Sequence, residues 1–244
     1  MSKLTRIDFQ KWLIGKGKNV GNAGADGIIG KATKVAVFEL FRDLKAKAVT
    51  NDELKQLSIL LGDNTGTAKI RAVAEVESGG NGWLNDGLVK ILYERHKFYS
   101  GLRAINWITK SNEGSKAYPD LCNPKPGGYG KESEQHSKLE RAAKLNREVA
   151  LESCSWGLGQ VMGYHWKSLG YASIQDFVNA MYKDEASQLD AVCRFIEVNG
   201  LIGALKRKDW ATFARGYNGN NYAINKYDTK LANSYAKWSK AGAM

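Results

Sequence analysis

The sequence contains few of the residues that build metal sites or disulfide frameworks. Its 244 residues include three prolines, three histidines and three cysteines, and no CxxC pair. An odd number of widely spaced cysteines favours reduced thiols, and three scattered histidines lack the ligand spacing of a zinc site. We therefore expect neither a metal nor a cofactor. The cysteines are Cys122, Cys154 and Cys193.

Long apolar segments are also missing. No run of about 18 apolar residues occurs, so we expect no stable insertion into a membrane. The first residues, MSKLTRIDFQKWL, are polar and charged, without the apolar centre of a secretory signal. The sequence therefore predicts a protein made in the cytoplasm without a signal peptide.

Positive charge is plentiful, with a formal net charge of +11. Such a charge favours polyanionic surroundings, which include nucleic acid, an anionic membrane face and a bacterial envelope. The basic residues are spread along the chain, and no nucleic-acid-binding motif is present. We therefore expect general attraction to an anionic matrix and no nucleic-acid partner.

A polar stretch, GDNTGT at Gly62 to Thr67, reads as a loop between two domains, 1–63 and 67–244. Apolar residues at helical spacing predict a small three-helix N-terminal domain. The second domain is also mainly α, with a minor β-hairpin or a loop-rich insertion from Ser111 to Ser133 that carries every proline. Its amphipathic stretches lie near 68–78, 138–152, 174–182, 185–198, 203–217 and 229–239.

The stretch AEVESGGNGW, Ala74 to Trp83, places two glutamates two residues apart before a group of glycines. Glu77 continues an apolar helical stripe at i, i+3, i+4 and i+7, whereas Glu75 points elsewhere. Burial and the negative end of the helix dipole both raise the pKa of a carboxyl, as a general acid requires. The alternative is that the glycines only end the helix and that Glu77 bonds a nearby backbone amide.

A second acidic candidate is Glu94, in VKILYERHKFY, where apolar residues run through a strand-like stretch. A glutamate in such surroundings needs a partner, which Arg95 or His96 could supply. A buried ion pair that joins two segments is at least as good an interpretation as catalysis. Asp86, in the turn after Trp83, is a weaker candidate.

Two later clusters combine glycines with polar and aromatic residues. In SCSWGLGQVMGYHW, Gln160 offers a donor and an acceptor to sugar groups, and Trp156 and Trp166 offer flat faces for sugar rings. In WATFARGYNGNNY, an apolar helical face ends at Tyr217, and the helix breaks at Asn218-Gly219.

The three clusters, taken in order, are similar to motifs of the soluble lytic transglycosylase and goose-type lysozyme superfamily. They are Glu77-Ser78-Gly79, Trp156 to Met162, and Ala214 to Gly219. The wider pattern VESGG, ILYERHKFY, GGYG, SWGLGQVMG and ARGYNGNNY, over about residues 67–240, resembles the phage N-acetylmuramidase endolysin domain. The segment from Asp26 to Thr33 resembles the D-G-x-x-G-x-x-T hallmark of a three-helix peptidoglycan-binding domain.

The resemblance implies a lysozyme-like fold and cleavage of the β-1,4 bond between N-acetylmuramic acid and N-acetylglucosamine. Glu77 would be the general acid, and Glu94 a second carboxylate or a residue that shapes the site. Residues expected at the substrate are Ser78, which would also support Glu77, together with Gln160, Tyr217 and Asn218.

The reaction has two possible outcomes, hydrolysis or transglycosylation to a 1,6-anhydromuramic product, and we favour hydrolysis. A non-catalytic wall-binding protein is the alternative of a different class. The resemblance also implies peptidoglycan glycan strands as partner, a monomer, and release from the host cytoplasm to the cell wall through a holin pore.

Overall fold

The computed structural model describes residues 5–41, 48–84 and 86–242, and the chain divides into two compact units. The smaller unit runs to Ala48 and includes Leu84–Leu88, and the larger unit contains Val49–Trp83 and the chain from Val89 onward. The division after Ala48 differs from the boundary at residue 63 expected from the sequence. Residues 42–47, within the predicted first domain, lie outside the described part.

The difference arises from the helix Asn51–Leu60, which packs in the larger unit. Leu54, Leu57 and Leu61 are buried in the large core. The Glu185 carboxylate also accepts a hydrogen bond of 3.1 Å from the Val49 N–H. Of the three helices predicted for the first domain, the described residues of the smaller unit therefore contain two.

The smaller unit has α1, Arg6–Gly15, and α2, Lys31–Phe41, around a core of Leu13, Val20 and Ala36. Thr5 begins α1 with a capping box in which its side chain and that of Asp8 bond reciprocally to backbone N–H groups. This reciprocal bonding satisfies donors that the first turn of a helix leaves free.

The segment from Asp26 to Thr33 folds around the fully buried side chain of Gln10 on α1. The Gln10 amide donates to Asp26 Oδ1 at 3.0 Å and to Thr33 Oγ1 at 3.0 Å. Its oxygen accepts from the N–H of Gly27, whose φ is +77°. Asp, Gly and Thr of the motif are therefore explained by the closure of this loop onto α1.

The larger unit is mainly α, as the sequence predicts. Its helices, numbered on from α2, are α3 Asn51–Leu60, α4 Ala68–Ser78, α5 Arg95–Ala104, α6 Ile108–Ala117, α7 Gln135–Ala143, α8 Arg147–Glu152, α9 Ile174–Lys183, α10 Glu185–Val198, α11 Ile202–Arg207, α12 Trp210–Asn218 and α13 Tyr227–Lys240. Short 3-10 helices cover Glu132–Glu134, Gly163–His165 and Asn220–Asn225.

A small antiparallel sheet of three strands lies within these helices, with β1 Ile91–Tyr93, β2 Cys154–Trp156 and β3 Val161–Met162 in that order. Ile91 is paired with Trp156, which is paired in turn with Val161. β2 and β3 form a hairpin whose turn is the GLGQ segment. The sheet thus places one predicted site motif beside the strand that precedes Glu94.

Helix α4 lies in the core, where Ile70, Val73 and Ala74 are buried on the predicted stripe. Its main packing partner is α13. The three cysteines are buried and free. Among the described residues, every helix is too short or too polar to cross a bilayer.

The predicted loop-rich insertion is partly helical, because α6 continues to Ala117. The irregular stretch after it is held from α7. Lys138 Nζ donates to the carbonyl groups of Gly128 and Tyr129 at 2.8 and 2.7 Å. Gln135 Nε2 donates to the carbonyl of Lys131 at 2.9 Å. The stretch is therefore fixed to the larger unit by buried polar side chains.

Candidate active site

Glu77 lies in the last turn of α4, which ends at Gly79 in the left-handed conformation with φ of +71°. Asn218 Nδ2 donates a hydrogen bond of 2.8 Å to Glu77 Oε1. Burial raises the pKa of Glu77 to about 7, against the opposing effects of the Asn218 bond and the Lys230 charge. Glu77 therefore holds a proton up to near-neutral pH, as a general acid must.

Glu75 has the opposite environment. Its carboxylate accepts hydrogen bonds from Ser234, Lys237 and Trp238 of α13, at 2.8, 2.7 and 2.6 Å. These donors, Lys237 first, lower its pKa despite partial burial. The two glutamates therefore meet different helices, as the helical spacing predicts: Glu75 bonds to α13, and Glu77 bonds to Asn218 at the end of α12.

Tyr217 and Asn218 bring the end of α12 to Glu77. The Tyr217 hydroxyl donates to the Gly159 carbonyl at 2.9 Å. Its ring stacks on Phe213, with centroids 5.6 Å apart, and meets Phe195 edge-on at 5.0 Å. Tyr217 thus connects the α12 end to the GLGQ turn and fixes Asn218 next to the carboxyl.

Asn218 has one further property that suits a binding site. Its Oδ1 is buried and has no hydrogen-bond partner among the described residues. A buried carbonyl-type oxygen without a partner is costly, so such an atom usually meets a ligand or a water. The amide therefore donates to Glu77 and keeps one acceptor for another group.

The glycines of the two later motifs are required by close packing. A Cβ on Gly159 would lie 2.0 Å from Val192 Cγ2, and one on Gly216 would lie 2.3 Å from Leu201 Cδ2. Val192 occupies the space that a side chain at Gly159 would need.

Gln160 is held inside the hairpin turn, with a backbone φ of +48°. Its Oε1 accepts from Ser155 Oγ at 2.8 Å. Its Nε2 donates to the carbonyl of Gly157 at 2.9 Å and to that of Lys90 at 3.4 Å. Both ends of the amide are engaged by the protein, so the contacts favour a role in shaping the turn over direct contact with a sugar.

Ser78 likewise makes internal contacts. Its buried hydroxyl donates to the Ala74 carbonyl at 2.9 Å. Its own carbonyl accepts from Lys90 Nζ at 3.1 Å. These bonds fix the end of α4, so Ser78 supports the position of Glu77 from within the helix.

Glu94 immediately precedes α5, and its Oε2 lies 3.2 Å from His96 Nδ1. Burial lowers the pKa of His96, although the Glu94 charge acts in the other direction. Burial and then the Glu94 charge raise the pKa of Tyr129. Glu94 is thus a half-buried carboxylate with an imidazole and a phenol as neighbours.

The neighbours that the described part of the structure gives to Glu94 are different from those of Glu77. Lys90, whose ammonium reaches the end of α4, is separated from Glu94 by the whole of β1. Four residues of extended chain span about 13 Å.

Asp86 belongs to the smaller unit, where its carboxylate accepts from the Leu88 N–H at 3.2 Å in a tight turn.

Trp156 is not the sugar platform that the sequence suggested. Only 1% of its surface is exposed, and its indole N–H donates to the Leu151 carbonyl at 3.1 Å. Because it lies on the central strand of the three-stranded sheet, it belongs to the core. Trp166 is partly buried and donates to Glu152 at 2.8 Å. Tyr164 and Tyr129 are the more exposed aromatic side chains of this region.

Two organising residues were not foreseen. Lys90 connects Ser78, the GLGQ turn and the Glu132 carboxylate, which is 3.1 Å from its ammonium. Gln188, on α10, is buried and accepts from the Leu158 N–H at 2.8 Å. It fills the space next to Gly157, where a Cβ would lie 2.7 Å from its side chain. A polar residue on an otherwise apolar helical face was the available signal for Gln188.

In the described ranges, no group of three or more histidine, cysteine, aspartate or glutamate side chains is placed to hold a metal ion. The groups around Glu77 are the Asn218 amide, which donates to its carboxyl, the aromatic side chains of Tyr217 and Tyr227, and the basic side chain of Lys230.

Comparison with known protein families shows which family contains this set of motifs. The family model for N-acetylmuramidase matches residues 66–239. The chain belongs to the N-acetylmuramidase family. The match covers all three motif clusters and begins after the N-terminal part of the smaller unit, which ends at Ala48. Glu77 and Glu94 both lie within this muramidase region.

A solved structure extends the similarity beyond the muramidase region. The sequence is 36% identical to that of the Burkholderia AP3 phage endolysin, and the two structures superpose with a TM-score of 0.72. The match covers 98% of this chain and 95% of that one. No significant match was found among curated proteins. This muramidase therefore shares its fold and the extent of its chain with a phage endolysin.

Proposed function

We propose that this muramidase is a phage endolysin that cleaves the β-1,4 bond between N-acetylmuramic acid and N-acetylglucosamine in peptidoglycan, with Glu77 as general acid. The observation that carries the proposal is the Glu77 carboxyl itself. It lies at a helix end beside open backbone at Gly79 and Gly80 and has a pKa raised to about 7. The net charge of +11 suits an anionic cell wall.

Asn218 orients the acid. Because its N–H group donates to Glu77 Oε1, the carboxyl proton resides on Oε2, which protonates the glycosidic oxygen as the bond to the anomeric carbon breaks. The unpartnered Asn218 Oδ1 accepts a hydrogen bond from a sugar hydroxyl or acetamido N–H. Tyr217 holds this amide in place from the α12 side.

The substitution Glu77→Gln tests the assignment, because it keeps the shape of the side chain and removes its proton. We expect the rate of turbidity loss of permeabilised Gram-negative cells to fall roughly 100- to 10,000-fold, the usual contribution of a general acid. Folding is checked by the thermal midpoint. Equal rates of lysis by the variant and the wild type would refute the role of Glu77. If the wild type itself lysed no cells, the alternative of a non-catalytic wall-binding protein would be supported.

For the second half of the reaction, we propose hydrolysis, with Glu94 as the second carboxylate. A water attacks the anomeric carbon and gives up its proton to a base, and inverting enzymes hold their carboxyl groups about 6.5–9.5 Å apart to admit that water.

Mass spectrometry of the released muropeptides separates the two reactions. Reducing muramic acid ends support hydrolysis, and 1,6-anhydromuramic ends without them would establish a transglycosylase. For Glu94→Gln we expect at least a tenfold fall in turnover with little change in thermal midpoint. A fall in the midpoint without an effect on turnover would make the Glu94 and His96 pair structural.

We also propose that the smaller unit binds peptidoglycan. Its loop around Gln10 presents Ile28, which is 68% exposed, and α1 presents Trp12, which is 43% exposed. In the full-length Glu77→Gln protein, Ile28→Ser should weaken co-sedimentation with purified sacculi. Ile59→Ser, which changes an exposed isoleucine on α3, is the matched control. Equal binding by both variants would contradict the proposal.

The location follows from the proposed substrate. An endolysin is made in the host cytoplasm and reaches the wall through a holin pore, and it acts as a monomer. Expression in host cells with and without a holin gives the test. Lysis that requires the holin supports this route, and lysis without it would require another one. Gel filtration with light scattering tests the monomer.

A further inference from the structure

A groove along α4 contains a cation that the proposed reaction does not use. Arg71 lines two cavities of about 320 and 400 Å³, and Trp238 of α13 lines both as well. The second cavity extends to Gly79 and Gly80, directly after the catalytic turn. A Cβ on either glycine would meet no other atom within 4 Å, so the passage beside them is open.

Arg71 is partly buried and has no carboxylate partner among the described residues. Its Nε donates to Thr67 Oγ1 at 3.1 Å, and its Nη2 donates to Asn51 Oδ1. Its guanidinium lies 4.9 Å from the centroid of the Trp238 ring. Desolvation lowers its pKa. Two bonds to neutral oxygens leave most of the five guanidinium N–H groups for another acceptor.

The acidic residue nearest in sequence cannot neutralise this charge. Glu75, one helical turn further on, is occupied by its three donors on α13 and is paired with Lys237 at 2.7 Å. Lys55, whose ammonium lies 4.0 Å from the exposed Asp52 carboxylate, adds a further exposed cation to the first cavity. The side chains that line the two cavities include three cations, Lys55, Arg71 and Lys237, and two carboxylates, Glu75 and Glu185, so one positive charge is in excess beside the Trp238 ring, which suits an anion.

We propose that this groove is an accessory subsite in which Arg71 binds an anionic group, a carboxylate or a phosphate, of the cell-wall polymer. The inference rests on the proposed function. Arg71 precedes Glu77 by six residues, which is about 9 Å along the helix axis and about 120° around it, so a ligand would pass from one to the other beside Gly79 and Gly80. Four residues of extended peptide span about 13 Å. A carboxylate at the end of such a stem is therefore within reach when its sugar lies at Glu77.

Equilibrium binding of the full-length protein to sacculi tests the subsite without turnover. In the Glu77→Gln background at low temperature, adding Arg71→Gln should weaken co-sedimentation with intact sacculi roughly tenfold, the effect of losing a charged hydrogen bond. Arg103→Gln changes an exposed arginine on α5 that has no carboxylate partner among the described residues and serves as the control. Thermal midpoints verify folding, and Lys55→Gln, at an exposed site, should weaken binding about threefold.

Two arms identify the anion. An effect on intact sacculi that disappears on glycan stripped of its peptide stems assigns a stem carboxylate. An equal effect on both, with inorganic phosphate displacing the Glu77→Gln protein but not the double variant, assigns a phosphate. Unchanged binding by both groove variants, or weakening that depends on neither stems nor phosphate, would overturn the subsite. Muropeptide release by the Glu77→Gln protein would reveal separately that the proposed catalytic role had failed.

Discussion

The hydrogen bond from Asn218 to Glu77 has a measurable consequence for the pH dependence of the enzyme. The bond stabilises the ionised carboxylate, so its loss should raise the pKa of Glu77 above about 7. Hydrogen bonds to charged groups contribute about 1.5–3 kcal/mol, and 1.36 kcal/mol corresponds to one pKa unit. Taking the lower value, because the pair is only partly buried, we expect an upward shift of about one unit.

Asn218→Leu is the suitable change, because it removes the donor and nearly preserves the volume. The assay is the pH profile of kcat/KM on a soluble peptidoglycan fragment. Activity requires protonated Glu77, so the basic limb should move up by about one pH unit. The plateau should fall roughly tenfold, because the proton is no longer confined to Oε2 and the sugar contact proposed for Asn218 Oδ1 is lost. Asn112→Leu, at an exposed position on α6, is the control.

Other titratable groups lie near Glu77 and could also affect the pH profile. Tyr217 and Tyr227 adjoin it, and the Glu77 charge contributes to the raised pKa of both. Lys230 is the cation that favours ionised Glu77. If the basic limb stayed in place or moved down while the plateau fell, the bond from Asn218 would not control the proton on Glu77, and the orientation argument would be refuted.

Three further predictions concern stability. Burial raises the folded-state pKa of Glu77 from 4.5 to about 7, so the contribution of Glu77 to stability is present below pH 4.5 and is lost as the pH rises to 7. In urea unfolding, the free energy of unfolding of Glu77→Gln should therefore rise relative to that of the wild type by on the order of 3 kcal/mol across that window. A difference between the two proteins that does not change with pH would contradict the raised pKa. Gly159→Ala should cost about 1–3 kcal/mol because its Cβ meets Val192, whereas Gly15→Ala, with no atom within 4 Å, should cost little; equal thermal midpoints would refute the packing argument. Glu75→Gln should cost about 1–3 kcal/mol by weakening three bonds between α4 and α13, and an unchanged midpoint would show that the bonds contribute nothing.

The sequence predicts the local features of the site well. The phase of a helix depends only on residue spacing, so the inward position of Glu77 follows from Ile70, Val73 and Ala74 without knowledge of the fold. The end of α4 at Gly79 follows in the same way, because glycine readily adopts the left-handed conformation observed there.

Features that depend on distant partners could not be predicted in this way. From the sequence Gln160 is expected to bind sugar, but in the structure Ser155 and the Lys90 carbonyl occupy its amide. From the sequence Trp156 is expected to be exposed, but its strand lies between two others. Helix α3 belongs to the larger unit because of partners such as Glu185, more than a hundred residues away. Each outcome was decided by tertiary packing, on which local spacing carries no information.

Helix α4 shows how one short element can give three charged groups different tasks. Glu75 and Glu77 are two residues apart, and thus about 200° apart around the axis, so one faces α13 and the other faces α12. Three donors lower the pKa of Glu75, and burial with a single amide donor raises that of Glu77. Because Glu75 stays ionised, it holds α13, the helix that carries Lys230 toward Glu77 and Trp238 beside Arg71. The proposed acid and the proposed anion groove therefore depend on the same helix contact, which makes the ionised state of Glu75 a condition for both.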